Sequence, residues 1–208
     1  RDLSMGLPRS ATVFADIGNT LTFAERNLMS YPDGRFVSLT GLSAMGSATA
    51  AIVGAKLGRP SDPAICLCGD GDFHMTGMEV ATAVTHDIPV IWIVLKNNRL
   101  GMIHDNQSLT YQNRYIACDF SETDFVALAR ALGAEGIRVE TPEQIRPAIE
   151  NALAGEKPTV VEVKIDPDEL PPVKSRMMAL KRSMGNPDPI TSISWNAIKA
   201  LWSMVKER

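Results

Sequence analysis

"LCGDGDFHMTGMEVATAVTHDIPVIWIVLKNNRLGM", residues 67–102, places a polar corner behind each of two apolar segments. Residues 64–68 (AICLC) read as a buried strand, 76–87 (TGMEVATAVTHD) as a helix with one apolar face, and 90–95 (VIWIVL) as a second buried strand of β-branched character. Together they make a strand–helix–strand unit, with Gly69-Asp70-Gly71 closing the first strand and Lys96-Asn97-Asn98 closing the second. Ligands of open α/β sheets collect at the carboxyl ends of strands, so both corners stand where a ligand would bind. The two glycines allow the backbone around Asp70 to turn tightly and approach a bound group. Asn97 follows Asp70 by one such unit, so the two side chains can meet across neighbouring strand ends. A carboxylate and an amide oxygen form a hard, oxygen-only set, too small to enclose a cation alone. It suits Mg²⁺ or Ca²⁺ completed by a main-chain carbonyl, water and phosphate oxygens. Gly-Asp-Gly by itself is a common turn; its pairing with the second corner gives it weight.

Outward from this unit the pattern repeats. Residues 41–58 (GLSAMGSATAAIVGAKLG) are dominated by small side chains with no proline until Pro60, which predicts a closely packed, buried helix. A polar stretch spans 104–119. Residues 121–134 (SETDFVALARALGA) then open on Ser121 with an acid three positions on, a capping signature, and 137–140 (IRVE) follow as a short strand. Residues 141–155 repeat the theme with Thr141 as N-cap and Gly155 as stop, and 159–166 (TVVEVKID) supply another strand. This alternation predicts an α/β domain over residues 1–166, with a mostly parallel sheet and helices on both faces. Residues 167–208 break the alternation. They read as a C-terminal helical tail, with a helix at 191–207 carrying Trp195, Ile198, Leu201, Trp202 and Val205 on one side, packing on the domain or on a partner. Met177, Met178 and Met184 in this tail suit either a substrate lid or plain packing.

Composition excludes several classes. The 208 residues are 45% apolar and 22% charged with a formal charge of −3, ordinary for a globular protein that does not bind nucleic acid. Apolar runs such as 88–95 fall far short of the roughly 20 residues of a membrane helix. Cys66, Cys68 and Cys118 lack the C-x-x-C turn of a zinc or iron–sulfur site and read as buried thiols in a cytoplasmic protein. The chain opens on Arg1, so it is expected to be processed or part of something longer.

The pairing of GDGDFHMTGMEVATAV with IPVIWIVLKNNRLGM resembles the diphosphate-binding domain of thiamine diphosphate enzymes of the acetolactate synthase and pyruvate oxidase group, over roughly residues 10 to 165. The resemblance implies that Asp70 and Asn97 bind Mg²⁺ through side chains and Arg99 through its main-chain oxygen. It implies further that Gly69, Gly71, Asp72, Leu100, Gly101 and Met102 line the diphosphate or thiazolium. Segment 15–20 (ADIGNT) is similar to the family's phosphate loop, implying contacts from Gly18, Asn19 and Thr20. Segment 41–46 (GLSAMG) resembles the loop that carries an apolar wedge under the bent cofactor, with Met45 as wedge and the Ser43 carbonyl facing the 4′-amino group. A wedge of this kind would hold the aminopyrimidine against the thiazolium C2. Lys96 departs from the family pattern, in which paired asparagines begin one position earlier, and Asn98 stays open as the alternative ligand.

Simple decarboxylases of this family carry a glutamate six residues after the metal-binding asparagine. Ile103 stands there instead, which resembles the carboligases and oxidases. Asn106 replaces the tryptophan usual in acetolactate synthases, and 106–115 has some likeness to sulfoacetaldehyde acetyltransferases. Ile103, His104 and Asn106 are therefore the substrate-contact candidates. His74 suits a hydrogen-bond donor near the phosphates, and His86 ends a helix, where a cation suits the negative pole. The resemblance also implies an activating glutamate on a separate pyrimidine-binding domain or subunit, a 2-oxoacid substrate, and a homodimer or homotetramer with the cofactor between subunits. Glu79 belongs to the helix behind Gly-Asp-Gly and is not that residue. FAD in a middle domain outside the sequence, and a non-catalytic binding module that keeps the fold, are the remaining alternatives.

Overall fold

The computed structural model describes residues 2–29 and 31–171. The predicted tail helix at 191–207 and the methionines at 177, 178 and 184 lie outside the described residues. In chain order the elements are α1 (Asp2–Gly6), β1 (Thr12–Ala15), α2 (Asn19–Asn27), β2 (Arg35–Ser38), α3 (Ser47–Gly58), β3 (Ala64–Gly69), α4 (Asp70–Thr76), α5 (Glu79–Thr85), β4 (Val90–Lys96), α6 (Gly101–Thr110), α7 (Phe125–Ala131), β5 (Glu135–Val139), α8 (Pro142–Ala154) and β6 (Thr159–Lys164). The six strands form one sheet in the order β2-β1-β3-β4-β6-β5, and every pairing is parallel. The expected α/β architecture with helices on both faces is present.

The crossovers explain where a ligand can go. From β1 the chain steps one way over α2 to β2; it then steps the other way through α3, α5 and α7 to reach β3, β4 and β5, and returns over α8 to β6. Ile52, Val53, Val80, Ala83, Phe125 and Ala129, from α3, α5 and α7, share one core, whereas Ala24, Ala148, Ile149 and Ala152, from α2 and α8, share the other. Each reversal of direction thus changes face, which keeps a single crossover hand throughout. The helices that follow β1 and β3 leave on opposite faces, so the carboxyl ends of these adjacent strands open a crevice.

Among the described residues Trp92 is the largest fully buried side chain, and its Nε1–H donates to the Thr49 carbonyl at 2.9 Å. That bond ties the middle of β4 to the first turn of α3 and leaves the indole's polar atom satisfied.

Several elements depart from the sequence reading. The helix expected over 76–87 is two short helices, α4 beginning at Asp70 and α5 at Glu79. Gly77 between them accommodates the buried Phe73 ring: a Cβ there would stand 2.6 Å from that ring and 2.5 Å from the Phe73 carbonyl. The helix expected from residue 41 starts at Ser47, since Gly41–Ala44 are an exposed loop. The polar stretch at 104–119 contains most of α6, whose entry is held by Leu100 N–H donating to the Cys118 carbonyl at 2.7 Å and Phe120 N–H to the Asn98 carbonyl at 2.8 Å. The capping residue of α7 is Asp124, which accepts from Ala127 N–H at 2.8 Å, and not Ser121. Thr141 does precede α8, and Gln144 Oε1 accepts there from the N–H groups of Glu140 and Thr141.

A buried ionic network closes the β4–β6 seam. Glu162 on β6 pairs with Lys96 (3.7 Å) and Arg138 (3.1 Å) and accepts from Phe125 N–H at 2.9 Å, so one carboxylate links β4, β5, β6 and the start of α7. Glu162→Gln would leave Lys96 with the exposed Glu122 and Arg138 with Asp124 while weakening the charge-assisted bonds to a buried carboxylate, so it is expected to destabilise the chain by roughly 2 kcal/mol. Urea denaturation measures this, and a stability equal to that of the parent would refute the assignment.

Candidate functional site

A cavity of about 520 Å³ occupies the crevice, bordered by the ends of β1, β3, β4 and β6 and by the first turns of α2, α6 and α8. At β1 the chain turns through Gly18, whose φ of 80° and ψ of −150° suit glycine, and enters α2 at Asn19. Nothing lies within 4 Å of a Cβ built on Gly18, so this main chain is open to the cavity. The N-terminal turns of α2 and α6 both face it, and their unpaired N–H groups and positive dipole ends favour an anion.

Asp70, 2% exposed, is the centre of the arrangement. Its Oδ1 accepts from Gly71 N–H at 2.8 Å, and its Oδ2 from Asn97 N–H at 3.0 Å and Asn98 N–H at 2.6 Å. One carboxylate therefore bolts the end of β3 to the end of β4. Asn98 meets this geometry in the left-handed region, φ 58°, a conformation asparagine tolerates. Asp72 reaches back one turn to accept from Gly69 N–H at 2.8 Å. Asn97 Oδ1 accepts from Arg99 N–H at 3.3 Å, and the Asn97 and Asn19 amides flank Gly101, 3.3 and 3.0 Å from where its Cβ would stand. Asn19 Nδ2 donates to Asp105 Oδ2 at 3.0 Å. Met45 enters from the α3 side: a Cβ on Gly71 would stand 2.9 Å from Met45 Cε and 2.8 Å from Leu100 Cδ2, so this floor has no room for a side chain.

Burial raises the pKa of Asp70 above the usual carboxylate range, against the pull of the Asn98, Asn97 and Gly71 N–H groups. Asp72 is pushed up to about 7, first by burial and then by the neighbouring Asp16 charge, with the Gly69 N–H pulling the other way. Lys96, next to Asn97 in sequence, is turned toward Glu162 and Glu122. Two buried acids beside open helix N-termini suit a cation that bridges carboxylate and phosphate. Three N–H groups engage Asp70, leaving lone-pair capacity for one more partner; Asn97 Oδ1 has the same spare capacity. Among the described residues no group of three or more His, Cys, Asp or Glu side chains could hold a metal. A bound ion would accordingly draw on amide, main-chain and ligand oxygens. The donor set fits Mg²⁺ with a diphosphate.

Of the residues singled out from sequence, Gly18, Asn19, Thr20, Met45, Gly69, Asp70, Gly71, Asp72, Asn97, Arg99, Leu100, Gly101, Met102 and Ile103 line this cavity. Ser43, Asn98, His104 and Asn106 are not among its lining residues. Ser43 lies in the exposed loop with φ 51°, its hydroxyl donating to the Thr40 carbonyl. His104 stacks on Tyr115, ring centroids 4.2 Å apart, with Arg99 Nη1 3.5 Å from its Nε2. Asn106 is exposed. His74 contacts Thr123, Phe120 and Phe125, and His86 follows the last turn of α5. Sequence reading passed over Asp16, although an acid directly behind the apolar segment TVFA repeats the pattern that singled out Asp70. Asp105 was hidden in a stretch read as a polar loop. The far wall, with Val139, Ile145, Val163, Ile165 and Glu169, comes from elements that only the sheet order brings near.

A six-stranded parallel sheet with a crevice at its switch point defines an α/β protein with a ligand-binding position at its strand ends. The chain belongs to the thiamine pyrophosphate enzyme family, C-terminal TPP binding domain, whose family model matches residues 16–163. It is 34% identical over 167 residues to a sulfoacetaldehyde acetyltransferase of Castellaniella defragrans, covering 78% of this chain and 28% of the relative. It is 37% identical over 153 residues to a sulfoacetaldehyde acetyltransferase of Alcaligenes xylosoxydans xylosoxydans, covering 74% and 25%. To the acetolactate synthase isozyme 2 large subunit of Escherichia coli it is 32% identical over 167 residues, covering 80% and 30%. The chain thus spans less than a third of the length of these relatives. No helix among the described residues is long and apolar enough to cross a membrane.

The raised Asp72 carboxyl has a measurable consequence. Between the ordinary carboxylate range and about pH 7 the folded chain keeps a proton that the unfolded chain releases, so stability of the metal-free chain falls as pH rises through that window. In Asp72→Asn the slope becomes shallower. Denaturation at several pH values reads it, and identical slopes in the two proteins would count against a buried, protonated Asp72.

Proposed function

We propose that this chain is the diphosphate- and Mg²⁺-binding part of a thiamine diphosphate-dependent enzyme that breaks or makes a C–C bond beside the carbonyl of a 2-oxoacid, as an acetolactate synthase does. The observation that carries this reading is Asp70, locked between β3 and β4 by three N–H bonds at the edge of a cavity that two helix N-termini also face. Asp70 and Asn97, with the main-chain oxygen of Arg99, would hold the metal. The turns at Gly18–Thr20 and Leu100–Met102 would receive the diphosphate, and Met45 would support the rings. When bound, the cofactor would supply an electron sink for the substrate's carbonyl carbon while the bond to its neighbour breaks or forms. The chain's own part is to grip the diphosphate, orient the rings and keep the cavity mouth apolar at Met102 and Ile103, which shields a reactive carbon from protonation. The activating glutamate is assigned to another domain or subunit, so the site would be completed between chains of a cytoplasmic homo-oligomer.

A second reading, acetyl transfer of the sulfoacetaldehyde acetyltransferase kind, uses the same site and draws on the names of two relatives. Product analysis separates the two: with pyruvate the complete protein is expected to form an acetohydroxy acid, whereas acetyl phosphate formed from sulfoacetaldehyde and phosphate would establish the transferase.

Calorimetric titration of the complete protein tests the site itself. Thiamine diphosphate should bind in a Mg²⁺-dependent manner, and Asp70→Asn or Asn97→Ala should weaken that binding by more than about 100-fold, since even supporting residues of metal sites cost 10–100-fold. Binding that ignores Mg²⁺ and both substitutions would sink the proposal.

A further inference from the structure

We propose that Asp16 is the positioning residue for Met45: a buried carboxylate that caps α3 from a neighbouring strand and so fixes the point at which the exposed 41–44 loop becomes rigid. Asp16 is 1% exposed. Its Oδ1 accepts from Ile17 N–H at 3.0 Å and Gly46 N–H at 3.2 Å; its Oδ2 accepts from Thr49 N–H at 2.9 Å and Thr49 Oγ1 at 2.8 Å. Gly46, the N-cap of α3, sits in the left-handed region at φ 81° and has no side chain of its own to cap the helix. The cap is supplied instead by a residue thirty positions earlier, at the end of β1. Thr76 Oγ1 holds the other side of Gly46 by donating to its carbonyl at 2.7 Å, and Trp92 holds the Thr49 carbonyl.

Met45 is therefore the last residue before a fully anchored segment. On its other side Gly41–Ala44 are exposed, with Leu42 97% exposed. Where Met45 Cε lies over Gly71 is set by the Gly46 and Thr49 bonds to Asp16, because nothing comparable among the described residues anchors the loop before it. This inference rests on the reading that Met45 supports the rings of the cofactor.

The test uses two ligands and two variants of the complete protein. Mg²⁺-pyrophosphate probes the diphosphate end alone, whereas Mg²⁺-thiamine diphosphate also touches Met45. In Asp16→Asn one carboxylate oxygen becomes an NH₂ that cannot accept, so at least one backbone N–H bond is lost: that of Thr49 if the NH₂ faces Thr49, whose hydroxyl can turn to accept, or those of Ile17 and Gly46 if it faces them. Asp16→Asn should weaken thiamine diphosphate by about tenfold or more and pyrophosphate by less than about twofold, as calorimetric Kd values. Thr49→Val, which removes only the hydroxyl bond, should show the same selectivity at about threefold, and it decides the matter if Asp16→Asn does not fold. Equal loss for both ligands would show a merely structural role, and no loss for either would show no role; each overturns the proposal. A parent protein that binds neither ligand would instead overturn the cofactor reading. The clamp then stands on hydrogen exchange: Gly46 and Thr49 amides that exchange at least about tenfold faster in Asp16→Asn support it, and unchanged rates overturn it.

Discussion

Two buried carboxylates at adjacent strand ends, Asp16 and Asp70, are satisfied by backbone N–H groups and one hydroxyl, that of Thr49, and not by cationic side chains, and the rest of the site follows from that. A carboxylate removed from water costs several kcal/mol unless its lone pairs are filled. Each acid recruits N–H groups from a chain segment far away in sequence: Gly46 and Thr49 for Asp16, Asn97 and Asn98 for Asp70. The need to satisfy the charge thereby becomes a positional constraint on two loops. One loop carries Met45 and the other carries Asn97, Arg99 and Leu100.

The same solution leaves the crevice electrically unbalanced. Burial raises Asp70 and Asp72 because N–H dipoles only partly replace bulk water, and Lys96 spends its charge on Glu162 and Glu122 on the other side of the seam. Such a site gains from any ligand that brings its own positive charge. A divalent ion carried by a diphosphate has that property, which connects the packing of the strand ends to the family in which the chain falls.

The core strands were legible because β3 and β4, buried on both faces, read as short continuous apolar runs bounded by turn residues, and β6 as a β-branched run interrupted only by Glu162. β2 was not, since its residues are partly exposed and only four long. α6 was missed for a related reason: it lies over the cavity mouth, where apolar and polar side chains serve a site and do not follow a core-facing stripe. Ser121 and Asp124 both satisfy the local rule for a cap; only the position of Glu162, which takes the Phe125 N–H, shows where α7 begins.

By itself the sequence determined the α/β alternation, the two polar corners and their spacing, because these depend on local periodicity and on residue types with narrow conformational uses. The tertiary structure alone decided that Asp16 caps α3, that Asn97 lines the cavity and Asn98 does not although both give their N–H to Asp70, and that β5, β6 and α8 complete the far wall. Each of these depends on the order β2-β1-β3-β4-β6-β5, which brings distant residues into hydrogen-bond range. A hydrogen bond across thirty residues leaves no periodic trace in the chain that makes it.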